Sequence, residues 1–163
     1  MDIKKTVEAE ESFLISLRHH FHENPELSQQ EWKTMDFIEE TLHGWGISTV
    51  RVPRGGIFGM IDSGKDGWTV LMRADIDALP IEENPKNLAC EKVCLSKNHG
   101  VSHACGHDGH MAMLLTAAKI LAAHKDEWEG KVLLMFEEAE EMGERGVGHL
   151  LSYLGEKKIH VDA

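Results

Sequence analysis

Apolar residues recur at helical spacing in the first part of the chain. Between residues 3 and 22 they follow one helical face, which predicts a single helix over this stretch. Pro25 ends it, because proline lacks an amide donor and clashes with the preceding turn. A second amphipathic segment, residues 31–46, predicts another helix, with Ser28 and Glu31 as a capping box at its start. The apolar positions of the first face are Ile3, Val7, Phe13, Leu14, Leu17 and Phe21.

The pattern then changes to contiguous apolar runs that predict strands. These runs are ISTVRV, GIFGMIDSG, WTVLMRADID and KVLLMFEEAEE. The last two hardly alternate, which is typical of strands covered on both faces, and a helical stripe lies between them. Residues 146–158 suit a final helix, and residues 158–163 resemble the start of a further strand. This order predicts an α/β fold, a layered mixed sheet flanked by helices.

Length and charge narrow the class of protein. The chain has 163 residues, which suits one domain, and its net charge of -11 argues against nucleic acids and anionic membranes as partners. No apolar run approaches the ~20 residues that span a bilayer, and the first residues lack the apolar core of a signal peptide. Three bunched cysteines do not resemble a secreted disulfide framework, so we expect a cytoplasmic protein.

Two apolar runs end in acidic residues, one at Arg73–Asp77 and the other at Glu137–Glu141. In open α/β sheets, ligands bind beyond the carboxyl ends of the strands. The segment HACGHDGH, residues 103–110, leads into the helix that crosses between these two strands. All three segments are therefore expected at the same rim of the sheet, which predicts a site there.

The residue types at this rim indicate a metal site. Zinc and similar ions accept thiolate, imidazole and carboxylate ligands together, which Cys105, His107 and Glu141 can supply. In an extended segment Cys105 and His107 share one face. Three protein ligands leave room for a water, whose pKa a divalent ion lowers towards neutrality. Glu140 is then the candidate proton acceptor.

Several of these polar residues also have purely structural explanations. The acidic run Glu137–Glu141 alone would equally suit a solvated helix start, and Asp75 and Asp77 could be turn or cap residues. Cys90 and Cys94 are more simply a pair of reduced thiols. Solvation explains the histidines of the first helix, which are His19, His20 and His22.

The combination of motifs resembles a known family of enzymes. The segments FHENPELSQQE, LMRADIDALPIEE, HACGHDGHMAMLL and GKVLLMFEEAEE occur in this order along nearly the whole chain. They resemble the metal-dependent amidohydrolases of the peptidase M20 family. The branch most similar contains hippurate hydrolase, N-acyl-amino acid amidohydrolases and indoleacetyl-amino acid hydrolases.

This resemblance implies a role for each matching residue. Cys105 and His107 match the cysteine and histidine ligands of a two-metal site, and Glu141 matches the carboxylate ligand. Glu140 matches the general base that activates water and passes its proton to the leaving amine. Asp75 matches an aspartate near the metals, with the orientation of a ligand histidine as its implied task. The implied ions are zinc or manganese, with cobalt or nickel also possible by ligand type.

The chain departs from the family pattern at a few positions. Arg73 stands where other branches carry a histidine ligand, which is consistent with the cysteine-containing branch. The family commonly has Gln-Pro where this chain has Glu137 and Glu138, so negative charge is added close to the site. Ser102 stands where methionine is usual. These differences bear on substrate preference more than on reaction type.

The family also implies a longer protein. Its members are about twice this length and carry a lid and dimerisation domain, so residues 1–163 correspond to the N-terminal part of the catalytic domain. The expected activity of a full-length parent, a homodimer by resemblance, is hydrolysis of the amide bond of N-acyl amino acids. The isolated chain, with a partial ligand set and no lid, is expected to be poorly active.

Two other hypotheses remain open from the sequence. The chain could be a truncated, non-catalytic module that binds metal or a partner. It could also be a redox protein built on Cys90, Cys94 and Cys105, although it contains no Cys-x-x-Cys motif. Metal content and reversible thiol oxidation discriminate these hypotheses.

Overall fold

The computed structural model describes residues 2–86, 89–143 and 146–163. Its helices are α1 (Ile3–Ala9), α2 (Glu11–Glu23), α3 (Trp32–Gly44), α4 (His107–Ala123) and α5 (Gly146–Lys157), with a single 3₁₀ turn at Lys125–Glu127. Its strands are β1 (Ser48–Val52), β2 (Gly56–Asp62), β3 (Thr69–Asp75) and β4 (Lys131–Glu137). Across the described part of the chain, no helix combines the length and apolarity needed to cross a membrane.

The four strands form one mixed sheet in the order β1-β2-β4-β3. The pairs β1–β2 and β2–β4 are antiparallel, whereas β3 and β4 run parallel. Parallel strands need a crossover, and α4 supplies it between β3 and β4. The predicted layered mixed sheet flanked by helices is confirmed.

Residues of β4 alternate between two cores because successive side chains of a strand point to opposite faces. Val132, Leu134 and Phe136 join the larger core, which α2, α3 and α4 cover. Leu133 and Met135 join the smaller core against α5. The sheet is therefore sandwiched between two layers of helices, and the continuous apolar run of β4 is explained by burial on both faces.

Two details of the helices differ from the sequence prediction. The predicted single helix over residues 3–22 is divided at Glu10, which caps both α1 and α2. The predicted capping box is wrong, because the N-cap of α3 is Glu31, and the first-turn amides Lys33 N–H and Thr34 N–H donate instead to the Glu26 carboxylate, at 3.3 and 2.8 Å. The Ser28 hydroxyl instead donates a hydrogen bond to Asp77, at 2.6 Å. A partner distant in sequence therefore outweighs the local capping interaction.

Strand β3 lies at the edge of the sheet and is less buried than its sequence indicates. Most of its residues are only half-buried, unlike those of β4. The last residues of the chain run along this edge, where Asp162 N–H donates to Thr69 O and Leu71 N–H to Ala163 O, each at 2.8 Å. The extended segment predicted for residues 158–163 therefore contacts the sheet but does not form a regular strand.

An ionic network joins α2 to the start of α4. The prediction that His22 is solvated is wrong: it is 8% exposed and contacts Asp108 through Nδ1, at 2.7 Å. The hydrogen bond to Asp108 is the largest effect on the pKa of His22, which is raised. Arg18 adds a 3.1 Å contact with Asp108, and Glu83 contacts the other ring nitrogen of His22. These charges fix α4 against α2.

Glu83 is expected to stabilise this network strongly. Burial alone would raise the pKa of Glu83, but the Ser96 N–H and the contacts with Lys92 and His22 outweigh burial and lower it to about 2. The Glu83→Gln variant should reduce the free energy of unfolding by about 2 kcal/mol at neutral pH. The lowered pKa corresponds to about 3.5 kcal/mol at about 1.4 kcal/mol per pKa unit, and solvent screening of the ion pairs reduces this value. Urea unfolding followed by circular dichroism measures this difference.

The pH dependence of the Glu83 effect has a defined sign. A carboxyl with a lowered pKa stabilises the fold fully above its unfolded pKa of 4.5 and loses this effect as the pH falls towards 2. The difference between wild type and Glu83→Gln should therefore shrink across that interval. Glu91→Gln, a change at an exposed position of the same loop, is the matched control and should behave as wild type. A pH-independent difference would contradict this interpretation.

Candidate metal centre

The carboxyl ends of β3 and β4 meet at one rim of the sheet, as the sequence predicts. Their last residues, Asp75 and Glu137, are directly paired in the parallel register. The helix α4 begins at His107 on the same rim. Residues from three distant parts of the chain are therefore brought together by the strand–helix–strand connection.

Three of the predicted residues form one compact group of metal donors. One donor atom each from Cys105, His107 and Glu141 lies within 4.8 Å of the others. His107 is buried and Glu141 half-buried, whereas Cys105 is exposed, so the group opens towards solvent on the side of the thiol. A thiolate, an imidazole and a carboxylate are a ligand set typical of zinc, with an open position for water.

A left-handed residue, rather than an extended strand, brings Cys105 and His107 together. Gly106 caps α4 with φ of 85°, a conformation that glycine adopts without steric cost. The chain turns there from an irregular loop into the first turn of α4. The predicted extended geometry of this segment is therefore wrong, although the two side chains still converge.

The sequence interpretation placed Asp77 at the rim but gave it no task beyond that of a turn or cap residue. It is 1% exposed, and its backbone carbonyl and Oδ1 contact His107 Nδ1 at 2.9 and 3.2 Å. Its Oδ2 accepts hydrogen bonds from the Ser28 hydroxyl and from Glu141 N–H, at 2.6 and 3.0 Å. Burial opposes ionisation, but these contacts lower the pKa of Asp77 below its ordinary value. One carboxylate thus orients two candidate ligands, a pairing that the spacing of Asp75 and Asp77 does not reveal.

The contacts of Asp77 determine which nitrogen of His107 is available to an ion. Both Asp77 acceptors face Nδ1, so Nδ1 is the donor nitrogen, and Nε2 is the nitrogen that offers its lone pair to an ion when the imidazole is neutral. His107 Nε2 lies 3.8 Å from Glu141 Oε1 and 3.6 Å from Asp75 Oδ2. His107, a candidate ligand, is therefore oriented through Asp77, while Asp75 lies on its open side.

Asp75 belongs to a second group of donors that shares His107. Its Oδ1 accepts a hydrogen bond from His110 Nδ1, and one donor atom from each of Asp75, His107 and His110 lies within 4.8 Å of the other two. Because Nε2 of a neutral imidazole has a single lone pair, His107 can serve only one of the two groups at a time. Two ions at this rim would therefore need donors in addition to these five residues.

The surroundings of Cys105 fit a cation. Its hydrogen bond to Glu141, its desolvation and the charges of Glu141, Glu140 and Asp75 raise the pKa of the thiol to about 11. A divalent ion among these groups would favour the thiolate and compensate the excess negative charge. In the described part of the chain, the buried Glu141 Oε1 has no hydrogen-bond partner, which leaves it able to coordinate.

Other ligand-type residues predicted from the sequence lie apart from this group. His103 is buried, and burial lowers its pKa to about 4, so it is neutral, but it belongs to neither donor group. Cys90 and Cys94 are free thiols, one exposed and one buried, and neither joins a donor group among the described residues. Some residues of the HACGHDGH segment thus belong to the candidate metal centre, whereas Asp108 of the same segment contacts His22 on helix α2.

The charge that Glu137 adds near the site is neutralised. Its fully buried carboxylate forms an ion pair with Arg73 and accepts a hydrogen bond from Val147 N–H, at 2.9 Å. Arg73 also lies 3.4 Å from Asp75. The two departures from the family pattern at positions 73 and 137 therefore compensate each other, since a buried carboxylate needs a partner.

Asp77→Ala is expected to weaken metal binding without removing a ligand. Loss of a residue that orients metal ligands typically costs 10–100-fold in affinity, and we expect a decrease of about 30-fold for Zn²⁺. Competition titration with a chromogenic chelator measures it. Ser28→Ala, which removes one hydrogen bond to Asp77, should have a smaller effect, and Asp62→Ala at an exposed position should have none. An unchanged affinity in Asp77→Ala would contradict the orienting role.

Comparison with known proteins shows which family the chain belongs to. Residues 71–163 match the model of peptidase family M20/M25/M40. An N-acyl-L-amino acid amidohydrolase from Geobacillus stearothermophilus is 43% identical over 86% of this chain and 37% of its own length. Thermostable carboxypeptidase 2 from Saccharolobus solfataricus is also 43% identical, over 88% of this chain and 36% of its own length.

A solved structure extends the comparison to three dimensions. The Bacillus subtilis YXEP protein, described as a dinuclear metal binding peptidase from the M20 family, superimposes with a TM-score of 0.78 and 37% sequence identity. The match covers 90% of this chain and 40% of that protein. The chain thus spans little more than a third of the length of the curated relatives it matches. The match to the family model and the shared fold show that the chain belongs to peptidase family M20/M25/M40.

Proposed function

We propose that the complete protein to which these residues contribute hydrolyses the amide bond of N-acyl amino acids with the help of divalent metal ions. The observation that carries the proposal is the convergence of Cys105, His107 and Glu141 donor atoms within 4.8 Å, next to Glu140. The similarity to an N-acyl-L-amino acid amidohydrolase supports the choice of substrate class.

Each residue at the rim has a defined task in this proposal. Cys105 Sγ, His107 Nε2 and Glu141 would hold the ion, which supplies Lewis-acid polarisation of the scissile carbonyl and lowers the pKa of a water. Glu140 accepts a proton from the attacking water and delivers it to the leaving nitrogen, so that an acid and a free amino acid are released. Asp77 keeps His107 Nδ1 protonated and Nε2 available.

Asp75 lies close to His107 Nε2, the ring nitrogen that would face an ion. Its hydrogen bond with His110 and its position 3.6 Å from His107 Nε2 support a role close to the ions rather than in the turn alone. With zinc or manganese in the site, Asp75 would also add negative charge that offsets the cation. We keep cobalt and nickel as further candidates because the ligand types suit them.

These residues would be one part of a longer protein. Residues 1–163 would form the N-terminal part of a catalytic domain, with a lid and dimerisation domain and further ligands supplied elsewhere in a homodimeric parent. The coverage of 37% of a relative's length supports this view. The three free cysteines support a reducing, cytoplasmic location.

The experiment is a hydrolysis assay in two forms of the protein. Release of free glycine from N-benzoylglycine is measured with Zn²⁺ or Mn²⁺ added, for this chain and for a longer chain that includes the lid region. We expect turnover in the longer chain and little in residues 1–163. Full-rate hydrolysis by residues 1–163 would contradict the need for further segments, and metal binding without turnover in the longer chain would favour a non-catalytic module.

A further inference from the structure

A buried carboxyl group lies beneath the turn that carries Glu140 and Glu141. Glu31 is 0% exposed, and its Oε1 accepts a hydrogen bond from Ala139 N–H at 2.8 Å. Its other oxygen, Oε2, is buried and has no hydrogen-bond partner among the described residues. Although Glu31 is the N-cap residue of α3, its side chain does not cap that helix. Its contact is with a residue 108 positions away.

The residue that Glu31 holds is in a strained conformation. Ala139 has φ of 56°, in the left-handed region that is sterically unfavourable for a residue with a Cβ. This conformation redirects the chain at the end of β4, just before Glu140 and Glu141. Such strain persists only where surrounding contacts determine the backbone, and the hydrogen bond from Ala139 N–H to Glu31 is one of these contacts.

The loop ahead of α3, which contains Ser28 and leads to Glu31, supports the turn at a second point. Ser28, three residues before Glu31, donates to Asp77 Oδ2, and this oxygen also accepts from Glu141 N–H at 3.0 Å. The loop ahead of α3 thus fixes the backbone on both sides of Glu140. This gives a role to Ser28 and Glu31 of the FHENPELSQQE motif, whose residues are absent from both donor groups.

Stability does not account for a carboxyl group at this position. A buried carboxyl with one oxygen unpartnered among the described residues costs free energy of folding, and an apolar residue of similar size would avoid that cost. Burial, together with the charges of Glu138 and Asp77, raises the pKa of Glu31 to about 7, against the opposing effect of the hydrogen bonds from the N–H groups of Ala139 and of Glu31 itself. A costly group that holds one strained amide next to two functional carboxylates indicates a functional role.

We infer that Glu31 is a positioning residue, whose hydrogen bond to Ala139 N–H fixes the turn that presents Glu140 and Glu141 to the metal site. The inference rests on the proposed function, since the turn matters for catalysis only if these two glutamates serve the metal centre. Glu31 itself touches neither donor group. It acts through the backbone of Ala139.

Two substitutions of Glu31 separate positioning from packing. Glu31→Gln keeps an amide oxygen that can accept from Ala139 N–H, whereas Glu31→Leu keeps the volume and removes the acceptor. Ile38→Val is the matched control, because Ile38 is also fully buried and lies on α3, the helix that follows directly after Glu31. Each variant is made in residues 1–163 and compared by two measurements.

The first measurement is Co²⁺ binding, followed by the absorption band of the Cys105 thiolate–cobalt bond. Glu31→Leu should raise the dissociation constant about tenfold, as expected for loss of a contact that orients a ligand, while Glu31→Gln stays within about threefold of wild type. Thermal unfolding of Glu31→Leu should occur at the same temperature or higher. Wild-type Co²⁺ affinity in Glu31→Leu, or the same loss of affinity in Ile38→Val, would overturn the inference.

The second measurement is hydrogen exchange at the Ala139 amide, which requires no metal. Loss of the hydrogen bond in Glu31→Leu should speed exchange at least about tenfold, since a bond worth about 1.4 kcal/mol protects by that factor. Unchanged exchange would also overturn the inference. If wild type binds no Co²⁺, the metal centre assigned to residues 1–163 fails on its own, and the exchange rates still decide whether Glu31 holds the turn.

Discussion

Replacing Glu140 by Gln is expected to remove turnover while leaving the metal site intact. Proton transfer by a positioned carboxylate contributes roughly 10²–10⁴-fold to rate, so kcat for an N-acyl amino acid should fall by about that factor. Metal content should stay at the wild-type level, because Glu140 is in neither donor group. Steady-state kinetics with metal analysis of the same samples of the complete protein measure both quantities.

Substitution of the neighbouring residue, Glu141, is expected to have a different effect. Glu141→Gln should lower metal content and turnover together, because Glu141 is in the donor group and its buried Oε1 has no other partner among the described residues. Substitution of the two adjacent glutamates should thus have different effects, on turnover alone for Glu140 and on both metal content and turnover for Glu141. If Glu140→Gln lost its metal, or if it retained wild-type kcat, the assignment of the proton acceptor would be wrong.

Removing the thiol of Cys105 is expected to have the largest effect on metal affinity. Cys105→Ala deletes one of three protein ligands, so the dissociation constant for Zn²⁺ should rise by more than about 100-fold, beyond the range for residues that only orient ligands. The thiolate–cobalt absorption band should also disappear. Competition titration and Co²⁺ spectra in residues 1–163 measure these changes.

Cys90→Ala is the control for that experiment. Cys90 is a free, exposed thiol in the loop before the metal-binding segment, so its loss tests for unspecific thiol binding. It should leave Zn²⁺ affinity and the cobalt band unchanged. Equal losses in Cys90→Ala and Cys105→Ala would show that the ion binds to thiols in general rather than at the rim of the sheet.

The fold could be predicted from sequence where one local pattern decides the outcome. The apolar run of β4 predicts a strand buried on both faces, and its alternate residues indeed join two cores. The acidic ends of two such runs place Asp75 and Glu137 at one rim because parallel strands end together. Cys105 and His107 could be singled out because residues 103–110 contain three histidines, one cysteine and one aspartate, an unusual concentration of residues that can bind metal.

The supporting residues could not be predicted, because their roles depend on contacts across the chain. Ser28 fits a local capping box, yet its hydroxyl is used by Asp77, 49 positions away. His22 lies on an amphipathic helix in a setting that suggests solvation, and only the docking of α4 buries it against Asp108. Glu31 likewise acquires its partner, Ala139, through tertiary structure alone. Periodicity carries no information about such pairs.

The charge balance around the site could not be predicted from the sequence either. From sequence, Glu137 adds negative charge near the ligands, and Arg73 is a residue that cannot coordinate metal. In the structure each is the partner of the other, so the pair is neutral at the rim and leaves the metal site to other residues. Their register on adjacent parallel strands makes this contact possible, and register becomes known only once β3 and β4 are paired.

Crystals of residues 1–163 soaked with Zn²⁺ and measured at the zinc absorption edge test the metal centre most directly. We expect an anomalous peak about 2.3 Å from Cys105 Sγ and about 2.0–2.2 Å from His107 Nε2 and from a Glu141 carboxylate oxygen. A peak bound only by Asp75 and His110, or by Cys90 and Cys94, would contradict the assignment of these three residues as the ligands.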